Sequence, residues 1–343
     1  MRRPLFILLA FLALAVPATV GRPAAAPEPG AELRASYRRP TAIPFPPDNP
    51  YSDAKATLGR ALFFDPRVSG AGNIACATCH NPGLGWSDGL PVGIGAGGAK
   101  LARHSPSIVD AAWREALAWD GRFDTLEHQA AGPIEAPTEM NQSMAVLARK
   151  LAAMPGYRRL FDAAFPEEAI DGTAITRALA TFERTVVSGP APFDRWIAGD
   201  DTAIDDAAKR GFALFNGKGH CAACHSGWRF TDDSFHDVGL PGADIGRGKI
   251  MLTIPIMQHA FKTPSLRNVA QRAPYMHDGS IATLGAVMRH YVDGFIQRPS
   301  LSPEMRRVPL SEQECHDIVS FMLTLSSRDA PVSVPTLPTE ESR

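Results

Sequence analysis

The sequence has little cysteine, no excess of either charge and no long hydrophobic run. Its 35 lysines and arginines balance 36 aspartates and glutamates, for a formal net charge of −1, and no basic block occurs. This balance argues against nucleic acid and against an anionic membrane as partners. The apolar run from Leu5 to Val16 is shorter than the ~20 residues that a membrane helix needs, and no other stretch approaches that length. We therefore predict no membrane-spanning helix.

Four of the five cysteines belong to two copies of one motif, Cys-x-x-Cys-His. The copies are Cys76-Ala77-Thr78-Cys79-His80 and Cys221-Ala222-Ala223-Cys224-His225. Two thiols at this spacing can each bond one vinyl group of a single porphyrin, and the next imidazole then lies under the iron. A redox disulfide would not need the histidine, and a structural zinc site draws its ligands from two separated pairs. The motifs predict two covalently bound haem c groups, with His80 and His225 as iron ligands.

The N-terminus indicates the compartment in which these haems are attached. Arg2 and Arg3 precede the apolar run, and small residues suitable for cleavage follow between Ala18 and Ala26. We therefore predict a signal peptide over 1–26 and export to a bacterial periplasm. A Pro/Ala-rich segment over 27–47 is expected to be disordered.

The remaining chain is long enough for two domains, and two similar segments indicate a duplication. Leu58-Gly59-Arg60-Ala61-Leu62-Phe63-Phe64 leads into the first haem motif, and Arg210-Gly211-Phe212-Ala213-Leu214-Phe215 leads into the second. We predict that each segment forms a short helix that covers one haem edge. Gly, Pro and Asp residues around 188–201 place the domain boundary near residue 200. The expected domains are 48–200 and 201–328, followed by a flexible tail over 329–343.

Helical periodicity dominates the chain outside the haem motifs. Apolar residues recur every three or four positions from Met144 to Leu151 and from Ile175 to Val186. The last predicted helix begins with a capping box formed by Ser311 and Glu314. No alternating pattern is long enough to predict a sheet. The predicted fold class is mainly α, with two cytochrome c-like domains, each wrapped around one covalently bound c-type haem.

Several motifs outside the haem sites resemble one known family. They are Trp119-Asp120-Gly121-Arg122, Leu126-Glu127-x-Gln129, Pro133, Glu139-Met140, the run from Phe261 to Asn268 and the run from Pro274 to Gly279. In this order, over about residues 51–326, they resemble the bacterial dihaem cytochrome c peroxidases and their relative MauG. The resemblance implies that peroxide reacts at the N-terminal haem and that electrons enter at the C-terminal haem.

The resemblance also implies roles for individual side chains. Glu139 matches the acid/base that moves a proton from the inner to the outer peroxide oxygen, and Gln129 and Pro133 are expected to line the same pocket. Trp119 matches the tryptophan that carries oxidising equivalents between the haems. Without the resemblance, Glu139 would be interpreted as a surface carboxylate and Trp119 as a core residue.

Two positions depart from the family pattern. Gly95-Ala96-Gly97 stands where members that need reductive activation have a histidine that blocks the peroxide iron. Because alanine cannot ligate iron, we predict a first haem that is open without activation, with His104 as the alternative ligand. His104 also replaces an asparagine that helps to bind an interdomain calcium ion, together with the backbone carbonyls of Arg272 and Pro274. Calcium prefers oxygen ligands, so the resemblance leaves this third cofactor in doubt.

The distal ligand of the second haem differs within the family, being methionine in ordinary members and tyrosine in MauG. Counting from Asp278-Gly279 aligns Tyr291 with this position, and we predict Tyr291 as the ligand. Met288 lies one turn earlier on the same helical face and is the alternative, as is a buried Tyr291 that packs only in the core. An anionic oxygen ligand stabilises ferric and higher states, whereas a thioether raises the reduction potential.

The leading functional prediction is a periplasmic dihaem peroxidase that reduces hydrogen peroxide to water, with a constitutively open N-terminal haem. Its electron donor would be a small cytochrome c or a copper protein. The first alternative is a MauG-like enzyme that oxidises Trp or Tyr side chains of a partner protein through a high-valent state shared by both haems. The second is a non-catalytic dihaem electron carrier, which requires two six-coordinate haems. Dimers are common among relatives, so a homodimer is a candidate assembly.

Overall fold

A computed structural model describes residues 29–339, and the signal peptide predicted over 1–26 lies outside the described residues. Helices dominate this part of the chain, with one short antiparallel pair formed by β1 (Phe235–His236) and β2 (Phe261–Lys262). None of the described helices combines the length and the hydrophobicity that crossing a bilayer requires. The α-helices are α1 (Ala31–Ser36), α2 (Asp53–Phe64), α3 (Cys76–Cys79), α4 (Leu126–Glu135), α5 (Met144–Ala153), α6 (Pro155–Ala164), α7 (Gly172–Arg184), α8 (Pro192–Ile197), α9 (Asp206–Asn216), α10 (Leu284–Arg289) and α11 (Glu312–Leu323).

The N-terminal domain is built around the crossing of α2 and α7. The Ser52 side chain accepts a hydrogen bond from the Lys55 amide and caps the start of α2. At Gly59 the two backbones approach so closely that a Cβ atom would lie 1.9 Å from the carbonyl oxygen of Ala178. Only glycine permits this contact without a shift. The crossing buries Leu58 and Leu62 in the first core.

The C-terminal domain repeats this arrangement with α9 and α11. A Cβ atom at Gly211 would lie 1.9 Å from the carbonyl oxygen of Asp317. The predicted capping box is present, because Ser311 accepts from the Glu314 amide while the Glu314 carboxylate accepts from the Ser311 amide. Both lead-in segments are therefore helical, as predicted, and each crosses the last helix of its domain at a glycine.

The described ends of the chain cross over between the two domains. Although disorder was expected over 27–47, α1 lies in this segment and Tyr37, only 2% exposed, packs in the C-terminal core. The Tyr37 hydroxyl donates to the Asn216 side chain at 2.8 Å, and its ring stacks on Phe230. Burying an aromatic ring of this size supplies the stabilisation that a Pro/Ala-rich composition did not indicate.

The segment expected to be a flexible tail lies against the N-terminal domain. Arg60 donates to the Ser333 carbonyl at 2.6 Å, Arg67 donates to the Pro338 carbonyl at 2.8 Å, and Leu337 packs on the first core. These contacts hold the described residues of the segment in place, so the predicted flexible tail is wrong for this part of the chain. The domain boundary near residue 200 stays a prediction, and α8, which lies just before it, contributes Phe193 and Trp196 to the C-terminal core.

Candidate dihaem site

The first haem motif forms a single helical turn, α3. The Thr78 hydroxyl accepts from the Ala75 amide at 3.0 Å, and the His80 amide bonds the Cys76 carbonyl at 2.9 Å. His80 Nδ1 lies 3.3 Å from the carbonyl oxygen of Trp86, which leaves Nε2 for iron. Burial lowers the pKa of His80, so the imidazole is held in the neutral form that binds metal.

The second motif has the same local organisation. His225 Nδ1 lies 2.9 Å from the carbonyl oxygen of Phe230, and burial again lowers the pKa of the imidazole. Cys221, Cys224 and His225 line a largely apolar cavity, which Phe215 of the lead-in helix also lines. None of the four motif cysteines forms a disulfide in the structure. An apolar cavity with two thiols and one carbonyl-anchored imidazole fits a covalently attached porphyrin.

Glu139 lies close to the first motif. Burial, followed by the charges of Asp88 and Glu139, raises the pKa of the Cys79 thiol to about 11. Burial also raises the pKa of Glu139 itself, while the positive charge of Arg122 acts in the opposite direction. A carboxyl group that keeps its proton more readily than usual suits general acid/base chemistry.

The loop that lacks the family's histidine packs directly against Glu139. The Ala96 amide donates to the Glu139 carbonyl at 2.8 Å and lies 3.2 Å from that of Thr138. A Cβ atom at Gly95 would lie 1.9 Å from the Thr138 carbonyl oxygen, so this approach requires glycine. Ala96 and Cys76 pack against the same core. The structure thus brings the non-ligating alanine and the predicted proton carrier together at the first motif.

Gln129 is half-buried on α4, and its side chain makes no hydrogen bond to another described residue. Pro133 lies four positions later in the same helix, and because it has no N–H it leaves the Gln129 carbonyl without its usual helical partner. The carbonyl of Pro133 accepts from the Met140 amide at 3.0 Å, which ties the helix to the Glu139 segment. The role of the Gln129 side chain stays a prediction.

Trp119 is held between the two domains. Its indole Nε1 donates to the His104 carbonyl at 2.8 Å, its own carbonyl accepts from the Lys262 amide at 2.8 Å, and its ring lines the second cavity. Next to it, Asp120 pairs with Arg103 at 2.6 Å, and Arg103 pairs in turn with Asp244 of the C-terminal domain at 2.7 Å. This position between the domains is what a relay requires.

His104 is not free to ligate iron in this structure. The imidazole is buried, with Nδ1 2.7 Å from the Leu90 carbonyl and Nε2 3.2 Å from the Ser87 hydroxyl. Both ring nitrogens are therefore engaged within the N-terminal domain. The same contacts place no side-chain oxygen where the family's asparagine would bind calcium, so His104 does not fit a calcium ligand.

Both candidate distal ligands of the second haem line its cavity. Met288 is 4% exposed and belongs to the C-terminal core. Tyr291 lies in a π-helical turn, His290–Gly294, a feature frequent at functional sites. Burial, followed by the neighbouring Cys224 and Cys221, raises the pKa of Tyr291. Among described residues its hydroxyl has no hydrogen-bond partner, which favours Tyr291 as the side chain available for a ligand.

Three cationic side chains of the second cavity were not identified from the sequence. Arg114, Lys262 and Arg272 all line it, together with the haem motif. Isolated Arg and Lys residues are interpreted as surface residues by default, and only the fold shows that these three face one cavity.

Comparison with known proteins identifies the family. The model of the family described as di-haem cytochrome c peroxidase matches residues 53–202, and that described as cytochrome c matches residues 208–326. The methylamine utilization protein MauG of Methylorubrum extorquens is 54% identical over 311 residues, 90% of this chain and 88% of its own. The cytochrome c551 peroxidase of Pseudomonas aeruginosa is 33% identical over 302 residues, 84% of this chain and 83% of its own.

Solved structures agree with this result. That of a MauG-like protein associated with microbial copper homeostasis superposes with a TM-score of 0.78 at 34% identity, covering 84% of this chain and 95% of that one. These matches confirm the predicted mainly helical fold with two cytochrome c domains, and the family implies two haem c groups. The chain belongs to the di-haem cytochrome c peroxidase and MauG family of oxidoreductases.

Proposed function

We propose that this chain is a MauG-like periplasmic enzyme that uses hydrogen peroxide to oxidise Tyr or Trp side chains of a partner protein. The observation that carries this choice is Tyr291, which faces the second cavity beside Cys221 and Cys224 without a hydrogen-bond partner among the described residues. The higher identity to proteins named MauG, at 54% and 50%, than to cytochrome c551 peroxidase, at 33%, supports the same choice.

The first site supplies proton transfer. Cys76, Cys79 and His80 would hold haem c, which would supply a redox-active iron for the reaction with peroxide. Glu139 keeps its proton more readily than a solvated carboxylate because it is desolvated. It can take a proton from the inner peroxide oxygen and return it to the outer one, so that water becomes the leaving group. Ala96 presents no side chain that competes for the same iron position.

Trp119 connects this site to the second one. The indole N–H donates to the His104 carbonyl and the Trp119 carbonyl accepts from the Lys262 amide, and these two hydrogen bonds hold the residue between the two domains.

One hydrogen peroxide takes up two electrons and two protons to form two water molecules. The joining of two tyrosine rings releases the same number of electrons and protons, so the overall reaction balances without a further reductant.

At the second site, Tyr291 distinguishes the proposed activity from ordinary peroxidase activity. Burial raises the pKa of its phenol, so the anionic form would require a strong positive charge beside it, which the iron of a bound haem would supply. An anionic oxygen ligand favours the more oxidised states of a haem. This preference suits an enzyme that must hold oxidising equivalents until a protein side chain reacts.

The proposal is tested by comparing the wild type with Tyr291→Met. Each protein is supplied with hydrogen peroxide and with one of two electron donors, a tyrosine-containing peptide or a reduced small cytochrome c. We expect the wild type to form dityrosine and to oxidise the cytochrome slowly, and Tyr291→Met to favour the cytochrome. Dityrosine is followed by fluorescence and the cytochrome by absorbance. Rapid cytochrome oxidation by the wild type without dityrosine would overturn the proposal.

That outcome would favour the second candidate, a peroxidase with a small cytochrome c or copper protein as donor. The relative named cytochrome c551 peroxidase supports this candidate. A non-catalytic carrier requires both haems to be six-coordinate, whereas Ala96 has no ligand atom. Electron paramagnetic resonance of the resting ferric protein separates these cases, because an open first haem is high-spin and a carrier shows low-spin signals alone.

A further inference from the structure

Two arginines from different domains face the cavity of the second haem motif. Arg114 follows Trp113 in the N-terminal domain, and Arg272 lies in the loop between β2 and α10 in the C-terminal domain. Both line the cavity that also contains Cys221, Cys224 and His225. A guanidinium group remains charged at any physiological pH, so two positive charges are directed toward one largely apolar space.

The described residues offer these charges only neutral partners. Arg114 Nη2 donates to the carbonyls of Ser107 and Val109, at 2.8 and 2.6 Å, and Arg272 Nη2 donates to the Ser265 carbonyl at 2.5 Å. Arg272 Nε is buried and has no hydrogen-bond partner. Neither arginine has a carboxylate within the 4.0 Å of a salt bridge among the described residues. Each guanidinium therefore retains donors without an anion.

Three acids act on the charge of Arg114: Asp233, Asp110 and Glu183. Burial raises the pKa of Glu183 to about 8, so it carries little negative charge near pH 7. The other two acids are engaged with other groups. Asp233 pairs with Lys262 at 2.6 Å and also with Arg229. Asp110, which is fully buried, accepts hydrogen bonds from the amide and the hydroxyl of Ser188 at 3.0 and 2.8 Å. The resulting excess of positive charge at the cavity is unfavourable unless an anion occupies the cavity.

Burial and neighbouring positive charges lower the pKa of both guanidinium groups. Burial, followed by the charge of Arg114, lowers the pKa of Arg272 to about 10. Burial, followed by the charge of Arg229, lowers the pKa of Arg114 to about 10. Both shifts have the direction expected for cations that are desolvated and close to like charges.

The two arginines also lie next to the first haem motif. The backbone of Gly85, one residue before the Trp86 that anchors His80, is so close to Arg272 that a Cβ atom there would lie 2.8 Å from Arg272 Cγ. The Gly85 carbonyl accepts from the Ser107 hydroxyl at 2.7 Å, and the Ser107 carbonyl accepts from Arg114. The cationic pair therefore lies between the His80 loop and the second cavity.

We propose that Arg114 and Arg272 bind the propionate carboxylates of the C-terminal haem c, one arginine from each domain. Haem c carries two propionates, and its attachment at Cys221 and Cys224 holds the group in this same cavity. Guanidinium groups bind carboxylates through paired N–H donors, which makes arginine the side chain suited to this anion. The assignment concerns haem binding and holds whichever donor the enzyme oxidises.

Two consequences follow. Positive charge beside the porphyrin favours the reduced state, so the pair raises the reduction potential of the second haem. Because one arginine comes from each domain, the same contact also joins the domains next to Trp119. The haem would then act as an electrostatic link between the two halves as well as a redox centre.

The test uses the dihaem holoenzyme and the variants Arg114→Gln, Arg272→Gln and Arg272→Lys. Arg195→Gln is the matched control, because it removes the same charge from an arginine whose side chain is 61% exposed. The measurements are the midpoint potential of the second haem and its propionate bending bands in resonance Raman spectra. We expect both Gln variants to lower the potential and shift the bands, Arg272→Lys to retain most of the potential but shift the bands, and the control to change neither.

Unchanged potential and bands in Arg272→Gln, with both haems attached, would overturn the proposal. If Arg114→Gln fails to retain its haems, Arg272→Lys still tests the proposal. This variant preserves the charge and changes only the geometry, so a shift of the propionate bands would support a direct contact. A free anion in the cavity is a separate outcome. If the wild-type potential depends on chloride at constant ionic strength and the Gln variants abolish this dependence, a dissolved ion is the ligand and the proposal is wrong. No step uses peroxide, so failure here is distinct from failure of the proposed activity.

Discussion

In the N-terminal domain the helix before the haem motif crosses the last helix at Gly59, and in the C-terminal domain the equivalent crossing is at Gly211. In both halves a backbone carbonyl, of Trp86 or Phe230, accepts the proximal histidine's Nδ1 proton. The difference lies in the side chains around the motifs. A desolvated carboxylic acid lies by the first, whereas a tyrosine and two arginines face the second cavity. One scaffold therefore supports two haem environments, and the side chains that line each of them decide the chemistry.

The helix crossings also align one buried residue of the N-terminal domain with one of the C-terminal domain. Gly59 lies against Phe182 and Gly211 lies against Phe321, so Glu183 of α7 corresponds to Met322 of α11. Both are 5% exposed. The first half thus buries an acid where the second buries a thioether. The two halves differ in polarity even where their backbones coincide.

Glu139→Gln is expected to have the largest effect, because it removes the proposed acid/base of the first site. Peroxide cleavage should slow by ~10² to 10⁴-fold, while both haems stay attached. Stopped-flow absorbance with hydrogen peroxide measures the rate, and Glu135→Gln, an exposed glutamate at the end of α4, is the control. Wild-type kinetics in Glu139→Gln would remove this residue from the mechanism and erase the main difference between the two sites.

Gly59→Ala and Gly211→Ala test whether the two crossings are equivalent. Each new methyl group would lie 1.9 Å from a backbone oxygen, so each should lower the free energy of unfolding by about 1–3 kcal/mol. Gly285→Ala is the control, because it places a methyl group in α10 with nothing within 4 Å. Thermal unfolding measures all three. Stability equal to the wild type in either crossing variant contradicts the shared-scaffold interpretation.

Glu183→Met gives the N-terminal domain the residue type that the C-terminal domain has at the corresponding position, Met322. Burial raises the pKa of Glu183 to about 8, against the opposing charge of Arg184. The native state therefore retains a proton that the unfolded state loses, and stability should fall as pH rises from about 4.5 to 8, with no further loss above that range. The variant should remove this slope, so its stability relative to that of the wild type should rise between pH 5 and pH 8. Denaturant unfolding at pH 5 and pH 8 measures it, and parallel slopes in both proteins would contradict the prediction.

Trp119→Phe should have the smallest effect on the separate sites and should act only on their connection. It keeps an aromatic ring but removes the donor to the His104 carbonyl. We expect unchanged ferric spectra and a several-fold slower transfer of oxidising equivalents between the haems, followed by rapid-mixing absorbance after peroxide addition. Steady-state rates equal to those of the wild type would count against a relay.

Local signals predicted much of this structure. The Cys-x-x-Cys-His spacing, the Ser311 capping box and the apolar periodicities of α5 and α7 each depend on residues a few positions apart, and the structure contains a helix or turn at each. Tyr37 shows where such signals end. Its partners, Asn216 and Phe230, are far away in sequence, so composition alone indicated disorder in a segment that packs in the other domain's core.

The candidate site divides in the same way. His104 looked like a replacement for a calcium ligand, and only its contacts with Leu90 and Ser87 show that both ring nitrogens are already bonded. No motif assigned a role to the side chains of Arg114 and Arg272, because a guanidinium group reveals its role only through what surrounds it. Glu139 was assigned by resemblance, while its raised pKa follows from burial in the fold.

The sequence by itself determined that this protein binds two c-type haems on a helical scaffold, since covalent attachment needs only the spacing of two thiols and an imidazole. The tertiary structure decided which charges face each haem site and how the chain ends cross between the domains. The reason is physical. Bond-forming motifs are short-range, whereas desolvation and Coulomb interactions depend on distances that exist only once remote segments pack together.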